Sequence, residues 1–348
     1  MKMKLTGDCK MKKILITGSA GFIGFHLSIL LLQRGWDVLG VDNFDDYYDV
    51  KLKENRVQIL KNFPNYKHVV QDISSQLFVS EVAPYSPDVI VHLAAQAGVR
   101  YSIENPEPYI QTNLVGAFRI LELARSLQVQ HLLMASTSSV YGANTEMPFF
   151  ENQKCDTQIS LYAATKKSNE MMSHSYSHLY GFPVTMFRFF TVYGPWGRPD
   201  MALFKFAKAI LCGEEIEVFN EGKMTRDFTY VEDLVSSIEK LIDTPPDLKQ
   251  GKVCDSDSIS PVAAWRVVNI GNADSVPLMR YISSLEDALG LTAKKKFLPM
   301  QAGDVKDTLS DVRLLHSLIG STPSTSIELG IQKFVDWYSD YYKMDLKN

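Results

Sequence analysis

The sequence has few cysteines and no long apolar run. Its four cysteines, Cys9, Cys155, Cys212 and Cys254, are widely separated and form no CxxC pair, which is typical of reduced thiols and argues against disulfides or a zinc site. No apolar run approaches the roughly 20 residues that a membrane-spanning helix requires, and the first residues lack the apolar stretch of a signal peptide. We therefore expect a cytoplasmic protein with no metal site and no membrane partner.

The sequence also lacks a strong charge of either sign. Its 36 basic and 40 acidic residues give a formal net charge of -4, and without a block of Lys and Arg we expect no nucleic-acid partner. The 348 residues are 45% hydrophobic and 22% charged, which is ordinary for a globular protein. This length predicts two domains, or one large domain with a smaller lobe.

Short apolar runs alternate with longer amphipathic segments from residue 12 onward. FIGFHLSILLLQRG predicts the first helix, and strands are predicted for KKILITG, WDVLGVD, DVIVHLAA, HLLMAST and VTMFRFF. This alternation predicts an α/β fold with a Rossmann-type doubly wound parallel sheet. After about Phe190, the Pro/Gly-rich segment VYGPWGRPDM begins a smaller C-terminal α/β lobe. We expect residues 11–190 to form the first domain and 191–345 mainly the lobe, with some elements interleaved.

The segment TGSAGFIG, residues 17–24, follows the first predicted strand and opens a helix. Gly18, Gly21 and Gly24 allow a tight turn and close approach to a pyrophosphate, and the helix N-terminus offers free N–H groups. The second predicted strand ends at Asp42, whose carboxylate can accept both hydroxyls of an adenosine ribose. The next segment, NFDDYYD, has no Arg or Lys to receive a 2′-phosphate. The pattern predicts NAD rather than NADP.

A second pattern combines the hydroxyl-rich run STSSVYG, residues 136–142, with LYAATKK shortly after it. In the latter, Tyr162 and Lys166 are four residues apart and share one face of a predicted helix. An ammonium beside a phenol favours the phenolate and lowers its pKa. Tyr162 is therefore a candidate general base for a sugar or alcohol hydroxyl.

These motifs make the chain resemble the extended short-chain dehydrogenases/reductases from about residue 12 to 300. The resemblance is carried by TGSAGFIG, Asp42, LAAQAGVR, STSSVYG, YAATK and RDFTYVEDL. Within that family the chain resembles the NAD-dependent nucleotide-sugar epimerases, and among them the UDP-glucuronate 4-epimerases through AGVRYSIENP and GPWGRPDMALFKF.

The resemblance implies an NAD-binding first domain, a nucleotide-sugar-binding lobe and tightly bound NAD that is regenerated each cycle. It implies interconversion of UDP-glucuronate and UDP-galacturonate by C4 oxidation to a 4-keto intermediate, rotation and hydride return. It also implies a homodimer that pairs through helices at about residues 104–127 and 161–180, and a role in supplying surface polysaccharides.

The resemblance further implies roles for individual residues. Catalysis is expected from Thr137, Tyr162 and Lys166. Cofactor contacts are expected from Tyr162 and Lys166. They are also expected from Gly18, Gly21, Phe22, Ile23, Gly24, Asp42, Asn43, Asp72, Ile73, Leu93, Ala94, Ala95, Gln96 and Asn113. Substrate contacts are expected from Arg100, Thr137, Ser138, Ser139, Thr191, Arg198, Lys205 and Arg226.

Ser138 and Ser139 stand where related dehydratases have an Asp-Glu pair and decarboxylases have a Glu at the second position. Neutral hydroxyls tolerate and hydrogen-bond a C6 carboxylate, and Arg198 can pair with it bidentately, so the run favours a uronic acid. A UDP-glucuronate decarboxylase and a 4-epimerase of neutral UDP-sugars such as glucose and galactose stay open as alternatives. A non-catalytic NAD-sensing protein is a third, which the intact Thr137, Tyr162 and Lys166 argue against.

Overall fold

Seven apolar segments form one parallel sheet in the computed structural model, which describes residues 12–301 and 303–343. Met11, the expected first residue of the first domain, lies outside the described residues. The strand order is β10-β6-β5-β4-β1-β2-β3, and every neighbouring pair is parallel. The strands are β1 Lys13–Thr17, β2 Asp37–Asp42, β3 Tyr66–Val70, β4 Val89–His92, β5 His131–Thr137, β6 Val184–Phe189 and β10 Trp265–Ile270.

Helices cover both faces of this sheet, which explains why strands such as HLLMAST are buried along their whole length. One face packs against α1, α8 and α10, and the other against α3, α5 and α6. The helices are α1 Phe22–Gln33, α2 Val50–Leu60, α3 Phe78–Val82, α4 Tyr101–Glu104, α5 Ala117–Leu127, α6 Leu161–Tyr180, α7 Ala202–Leu211, α8 Val231–Ile242, α9 Leu278–Leu289, α10 Arg313–Ile319 and α11 Ile327–Tyr342. The predicted Rossmann-type doubly wound fold is confirmed.

A second hydrophobic core lies in the C-terminal part of the chain, between α7, α9, α11 and two small sheets. One sheet has the order β11-β9-β7 and the other pairs β12 with β8. Their strands are β7 Thr191–Tyr193, β8 Glu215–Phe219, β9 Thr225–Tyr230, β11 Ser275–Pro277 and β12 Lys294–Leu298. This arrangement agrees with a smaller α/β lobe.

The two parts of the chain interleave. Strand β10 pairs with β6 in the main sheet, and α8 packs on the same sheet face as α1, although both elements follow residue 190. The expected division at residue 190, with NAD bound by the first part and the nucleotide sugar mainly by the second, therefore stays a prediction.

One predicted helix differs in the structure. The segment expected at about residues 104–127 is broken after α4, at Asn105 and Pro106, because a proline cannot continue the helix that precedes it. It resumes as a π-helical segment at Tyr109–Gly116, which leads directly into α5. The helix expected at 161–180 is present as α6, capped by the Ser160 hydroxyl, which accepts a hydrogen bond from the Ala163 N–H at 3.2 Å.

Candidate functional site

A cleft of about 580 Å³ opens at the carboxyl ends of the main-sheet strands, on the side that faces the lobe. It is lined by Gly18 after β1 and by Leu93 after β4. Between these two neighbouring strands the order of the sheet reverses direction. In open α/β sheets, ligands bind at such a switch point.

The glycine turn after β1 is packed too closely for side chains at two of its positions. Gly18 has a φ of +72°, and a Cβ there would lie 2.8 Å from the Ala94 backbone nitrogen. A Cβ at Gly24 would lie even closer to the Gly18 carbonyl oxygen, so the turn requires both glycines. Helix α1 begins after Gly21 with no side-chain cap, so its first N–H groups point toward the cleft as donors for a phosphate group.

Asp42 ends β2 beside this turn. Its carboxylate accepts hydrogen bonds from the Ala20 N–H at 3.1 Å and the Phe44 N–H at 2.9 Å, while burial raises its pKa. The sequence argument for NAD missed one cation: Lys53, from α2, also lines the cleft and donates to the Asp45 carbonyl oxygen at 2.5 Å. Its charge acts on Asp42, so the surroundings of the carboxylate are less negative than the NFDDYYD segment suggested.

Asn113 supports the segment after β4 that lines the cleft, through hydrogen bonds to its backbone. The Asn113 side chain accepts from the Gln96 N–H at 2.9 Å, and it donates to the Gln96 carbonyl oxygen and to the Thr165 hydroxyl, each at 3.1 Å. Asn113 lies in the π-helical segment, a feature that is frequent at functional sites. Asn113 fixes Gln96 to helix α6.

Thr137, Tyr162 and Lys166 meet at the end of β5. The Thr137 hydroxyl oxygen accepts a hydrogen bond from the Ser139 backbone N–H at 3.2 Å, and the Thr137 hydroxyl donates to the Ser139 hydroxyl at 3.3 Å. The Lys166 ammonium is buried and donates to the Ala135 carbonyl oxygen at 3.0 Å. The three residues line the same cleft, as the motif spacing suggested.

The electrostatics of this group differ from the sequence argument. Burial raises the pKa of Tyr162, and the Thr137 hydroxyl and the charge of Arg198 act against that rise. Burial also lowers the pKa of Lys166 to about 8. Because the ammonium is committed to the Ala135 carbonyl, desolvation rather than Lys166 dominates the pKa of the Tyr162 phenol in the protein alone.

A buried ion pair supports these residues. Glu170, two turns after Tyr162 on α6, binds Arg188 of β6 through two contacts of 2.9 Å. Its carboxylate also accepts from the Ser136 hydroxyl at 2.7 Å and from the Lys167 ammonium at 2.9 Å. These bonds join the strand that carries Thr137, the helix that carries Tyr162 and the strand that precedes Thr191.

On the lobe side, the cleft is lined by Thr191 and by the loop that carries Arg198. The Arg198 guanidinium is not free: it pairs with Asp200, with Nε 3.0 Å from Oδ1 and Nη2 2.5 Å from Oδ2. The Tyr47 hydroxyl donates to Asp200 Oδ2 at 3.2 Å. Sequence reasoning missed Asp200, although it lies only two residues beyond Arg198. An acidic residue that is close in the sequence does not by itself show which cation it pairs with.

The backbone of this loop is bound to the first domain. Arg56 of α2 is fully buried and donates to the carbonyl oxygens of Ala20 at 2.8 Å, Trp196 at 2.6 Å and Gly197 at 3.3 Å. It also donates to the Tyr48 hydroxyl at 2.8 Å. One cation therefore ties the glycine turn to the loop that carries Arg198.

Most of the predicted site residues line the cleft, and three are not among its lining residues. Asp72 bonds to Ser74 and Asn43, and Asn113 contacts the Gln96 backbone. Arg226 donates to the carbonyl oxygens of Thr225, Val305 and Lys306. The ligand contacts expected of these three residues stay predictions. The predicted residues that do line the cleft are Gly18, Gly21, Phe22, Ile23, Gly24, Asp42, Asn43, Ile73, Leu93, Ala94, Ala95, Gln96, Arg100, Thr137, Ser138, Ser139, Tyr162, Lys166, Thr191, Arg198 and Lys205.

Sequence reasoning also missed Asp304, which lines the cleft opposite Arg100. The Arg100 guanidinium lies 2.9 Å from the Asp304 carboxylate. The two residues are 204 positions apart, so no local pattern indicates that they meet.

Comparison with known proteins identifies the family of this chain. Residues 14–255 match the model of the NAD dependent epimerase/dehydratase family. The chain belongs to this family. The resemblance to extended short-chain dehydrogenases/reductases and the expectation of NAD as cofactor are thereby confirmed.

Individual family members are similar over nearly the whole chain. A probable UDP-glucuronate 4-epimerase of Rhizobium meliloti is 50% identical over 335 residues, covering 95% of this chain and 98% of the relative. Protein CapI of Staphylococcus aureus is 52% identical, covering 95% and 99%. The crystal structure of UDP-glucuronic acid 4-epimerase from Bacillus cereus, in complex with UDP-glucuronic acid and NAD, superposes with a TM-score of 0.85 at 31% identity, covering 95% of this chain and 100% of that one.

Proposed function

We propose that this family member is an NAD-dependent 4-epimerase that interconverts UDP-glucuronate and UDP-galacturonate. The observation that carries the proposal is the cleft itself, where Tyr162 and Thr137 meet the neutral hydroxyls of Ser138 and Ser139, opposite Arg198. The Rhizobium meliloti relative and the Bacillus cereus structure support the same substrate, since both carry the name of a UDP-glucuronate 4-epimerase.

The residues of the chain divide the chemistry between them. Tyr162 takes the proton of the C4 hydroxyl and later returns it, and the Thr137 hydroxyl orients the reacting oxygen. NAD, when bound, would supply the redox chemistry, as the acceptor of a hydride from C4 and the donor that reduces the opposite face of the 4-keto sugar. Gly18, Gly24 and Asp42 hold the cofactor. Because the cofactor ends each cycle in its starting form, it stays bound.

A uronic acid sets one further requirement. Its 4-keto form is a β-keto acid, which loses CO2 readily, so the C6 carboxylate must be held in an orientation that disfavours cleavage. Ser138 and Ser139 can donate hydrogen bonds to that carboxylate, and Arg198 can pair with it. Neither serine can act as an acid or base at C5, which disfavours a decarboxylase.

The quaternary structure and location are part of the proposal. Large apolar side chains are exposed on the two surface helical segments, Ile110 and Phe118 on one and Met171 and Leu179 on the other. A homodimer would cover them.

Among the described residues no helix is long and apolar enough to cross a membrane. The scattered cysteines favour the cytoplasm. We also propose that residues 11–190 mainly bind NAD and that 191–345 mainly bind the nucleotide sugar.

The test is to incubate the purified protein with UDP-glucuronate, without added cofactor, and to follow the sugar protons by NMR. UDP-galacturonate should accumulate to a fixed ratio without any UDP-pentose. UDP-xylose or a 4-keto pentose would instead identify a decarboxylase. Conversion of UDP-glucose but not UDP-glucuronate would identify a neutral-sugar epimerase, and no conversion of any UDP-sugar would leave the NAD-sensing protein.

The same assay tests the catalytic base. Tyr162→Phe removes the phenolic proton carrier and should abolish turnover while UDP-glucuronate still binds. Tyr180→Phe is the matched control, because Tyr180 lies on the same helix but outside the cleft. Undiminished turnover by Tyr162→Phe would exclude Tyr162 as the base.

A further inference from the structure

The guanidinium of Arg198 already has a carboxylate partner within its own loop. Asp200 engages Nε and Nη2, which form one bidentate edge of the guanidinium. Both side chains are about one-fifth exposed and line the cleft. The other edge, formed by Nη1 and the second hydrogen of Nη2, can receive a further carboxylate, but that carboxylate would meet the negative charge of Asp200 at short range. Asp200 therefore competes electrostatically with a substrate carboxylate for the charge of Arg198.

Tyr47 supports Asp200 in this competition. Its hydroxyl donates to Asp200 Oδ2 at 3.2 Å, and its ring lies 5.9 Å from the Arg198 guanidinium carbon. Burial and the Asp200 charge raise the pKa of Tyr47 to about 12, so the phenol stays protonated and keeps donating. The Asp200 carboxylate is thus bonded by both Arg198 and Tyr47.

We propose that Asp200 is a specificity-determining residue, because its charge offsets that of Arg198 and so limits the preference for uronic acids over neutral sugars. This inference rests on the proposed function. When a neutral sugar binds, Asp200 keeps the Arg198 guanidinium paired. When a uronate binds, repulsion between its carboxylate and Asp200 offsets part of its attraction to Arg198.

The proposal predicts that Asp200→Asn tightens uronate binding selectively. The amide keeps the shape of the side chain and removes its charge. Dissociation constants for UDP-glucuronate, UDP-glucose and UDP would be measured by calorimetry in a Tyr162→Phe background, so that the sugar is not converted. We expect about tenfold tighter binding of UDP-glucuronate, which corresponds to about 1.4 kcal/mol, and a change of less than about twofold for UDP-glucose and UDP, which lack the carboxylate.

Two further variants keep the test decisive. Tyr47→Phe removes the hydroxyl that holds Asp200 and should shift the UDP-glucuronate to UDP-glucose ratio in the same direction, by about twofold to threefold. Glu328→Gln is the charge-matched control, because Glu328 forms an exposed pair with Arg280 and does not line the cleft. If thermal unfolding shows that Asp200→Asn does not fold, the ratio measured for Tyr47→Phe decides.

An unchanged ratio, weaker UDP-glucuronate binding or equal tightening for both sugars would overturn the role of Asp200. Weaker binding would mean that Asp200 serves only to orient Arg198 for the substrate. These outcomes are distinct from failure of the proposed function, which would appear as an absence of UDP-glucuronate epimerisation by the unmodified protein.

Discussion

Glu170→Gln removes one negative charge from the buried pair beneath the candidate catalytic residues. Glu170 and Arg188 have side chains that are 0% and 2% exposed, so the loss of the carboxylate charge leaves a buried cation without its partner. Desolvation alone would raise the pKa of Glu170, but Arg188, Lys167 and Ser136 overcome it and lower the pKa from 4.5 to about 2. At 1.36 kcal/mol per unit, this shift corresponds to roughly 3 kcal/mol at neutral pH.

The sign of the pH dependence follows from that direction. A carboxylate with a lowered pKa stabilises the fold fully above its unfolded pKa, near 4.5, and this contribution is lost as the pH falls toward 2. The difference in free energy of unfolding between the unmodified protein and Glu170→Gln should therefore be roughly 3 kcal/mol at pH 7 and roughly 1 kcal/mol at pH 3. The value at pH 7 is similar to the measured cost of breaking buried ion pairs, about 3 to 5 kcal/mol.

Urea unfolding followed by circular dichroism at several pH values measures this difference. Glu122→Gln is the matched control, since Glu122 pairs with Arg125 in a partly exposed site and should cost less than about 1 kcal/mol. Turnover should also fall more in Glu170→Gln, because the pair joins the elements that carry Thr137 and Tyr162. Equal losses in the two variants, or a difference that does not decline in acid, would refute the reasoning.

Two further predictions concern the cofactor and the pH profile. Gly18→Ala should abolish the NAD that remains bound through purification, because its Cβ would meet the Ala94 backbone, whereas Gly35→Ala, also at positive φ but with nothing within 4 Å, should retain it. NAD released on heat denaturation measures both, and retention by Gly18→Ala would contradict the turn geometry. Because burial lowers the pKa of Lys166 to about 8, turnover should decline as the pH rises through about 8 and the ammonium loses its proton. Lys166→Arg should move that decline to higher pH, and a flat profile to pH 10 in the unmodified protein would exclude a required ammonium.

The cofactor end could be predicted from the sequence because its signals are local. The strand, the glycine turn and the helix follow one another within residues 13–33, and Asp42 closes the next strand. The helix face shared by Tyr162 and Lys166 is also a matter of short spacing. Such patterns determine which residues meet without reference to the rest of the chain.

The remaining features depend on contacts between distant segments or on burial. Lys53 reaches the surroundings of Asp42 from α2, and Asp304 meets Arg100 across more than half of the chain. The sequence also predicted a lowered pKa for Tyr162, whereas the fold raises it by desolvation. Spacing in a helix indicates which groups are neighbours but not how much solvent they lose.

Arg56 carries a consequence for engineering this enzyme class. Its bonds to the carbonyl oxygens of Ala20, Trp196 and Gly197 connect two loops that otherwise belong to different parts of the chain. A loop transplanted from a homologue in place of residues 194–200 would have to present its carbonyl oxygens where Arg56 can reach them, or the buried guanidinium would lose its partners. Loop exchange for altered sugar selectivity should therefore treat α2 and residues 194–200 as one module.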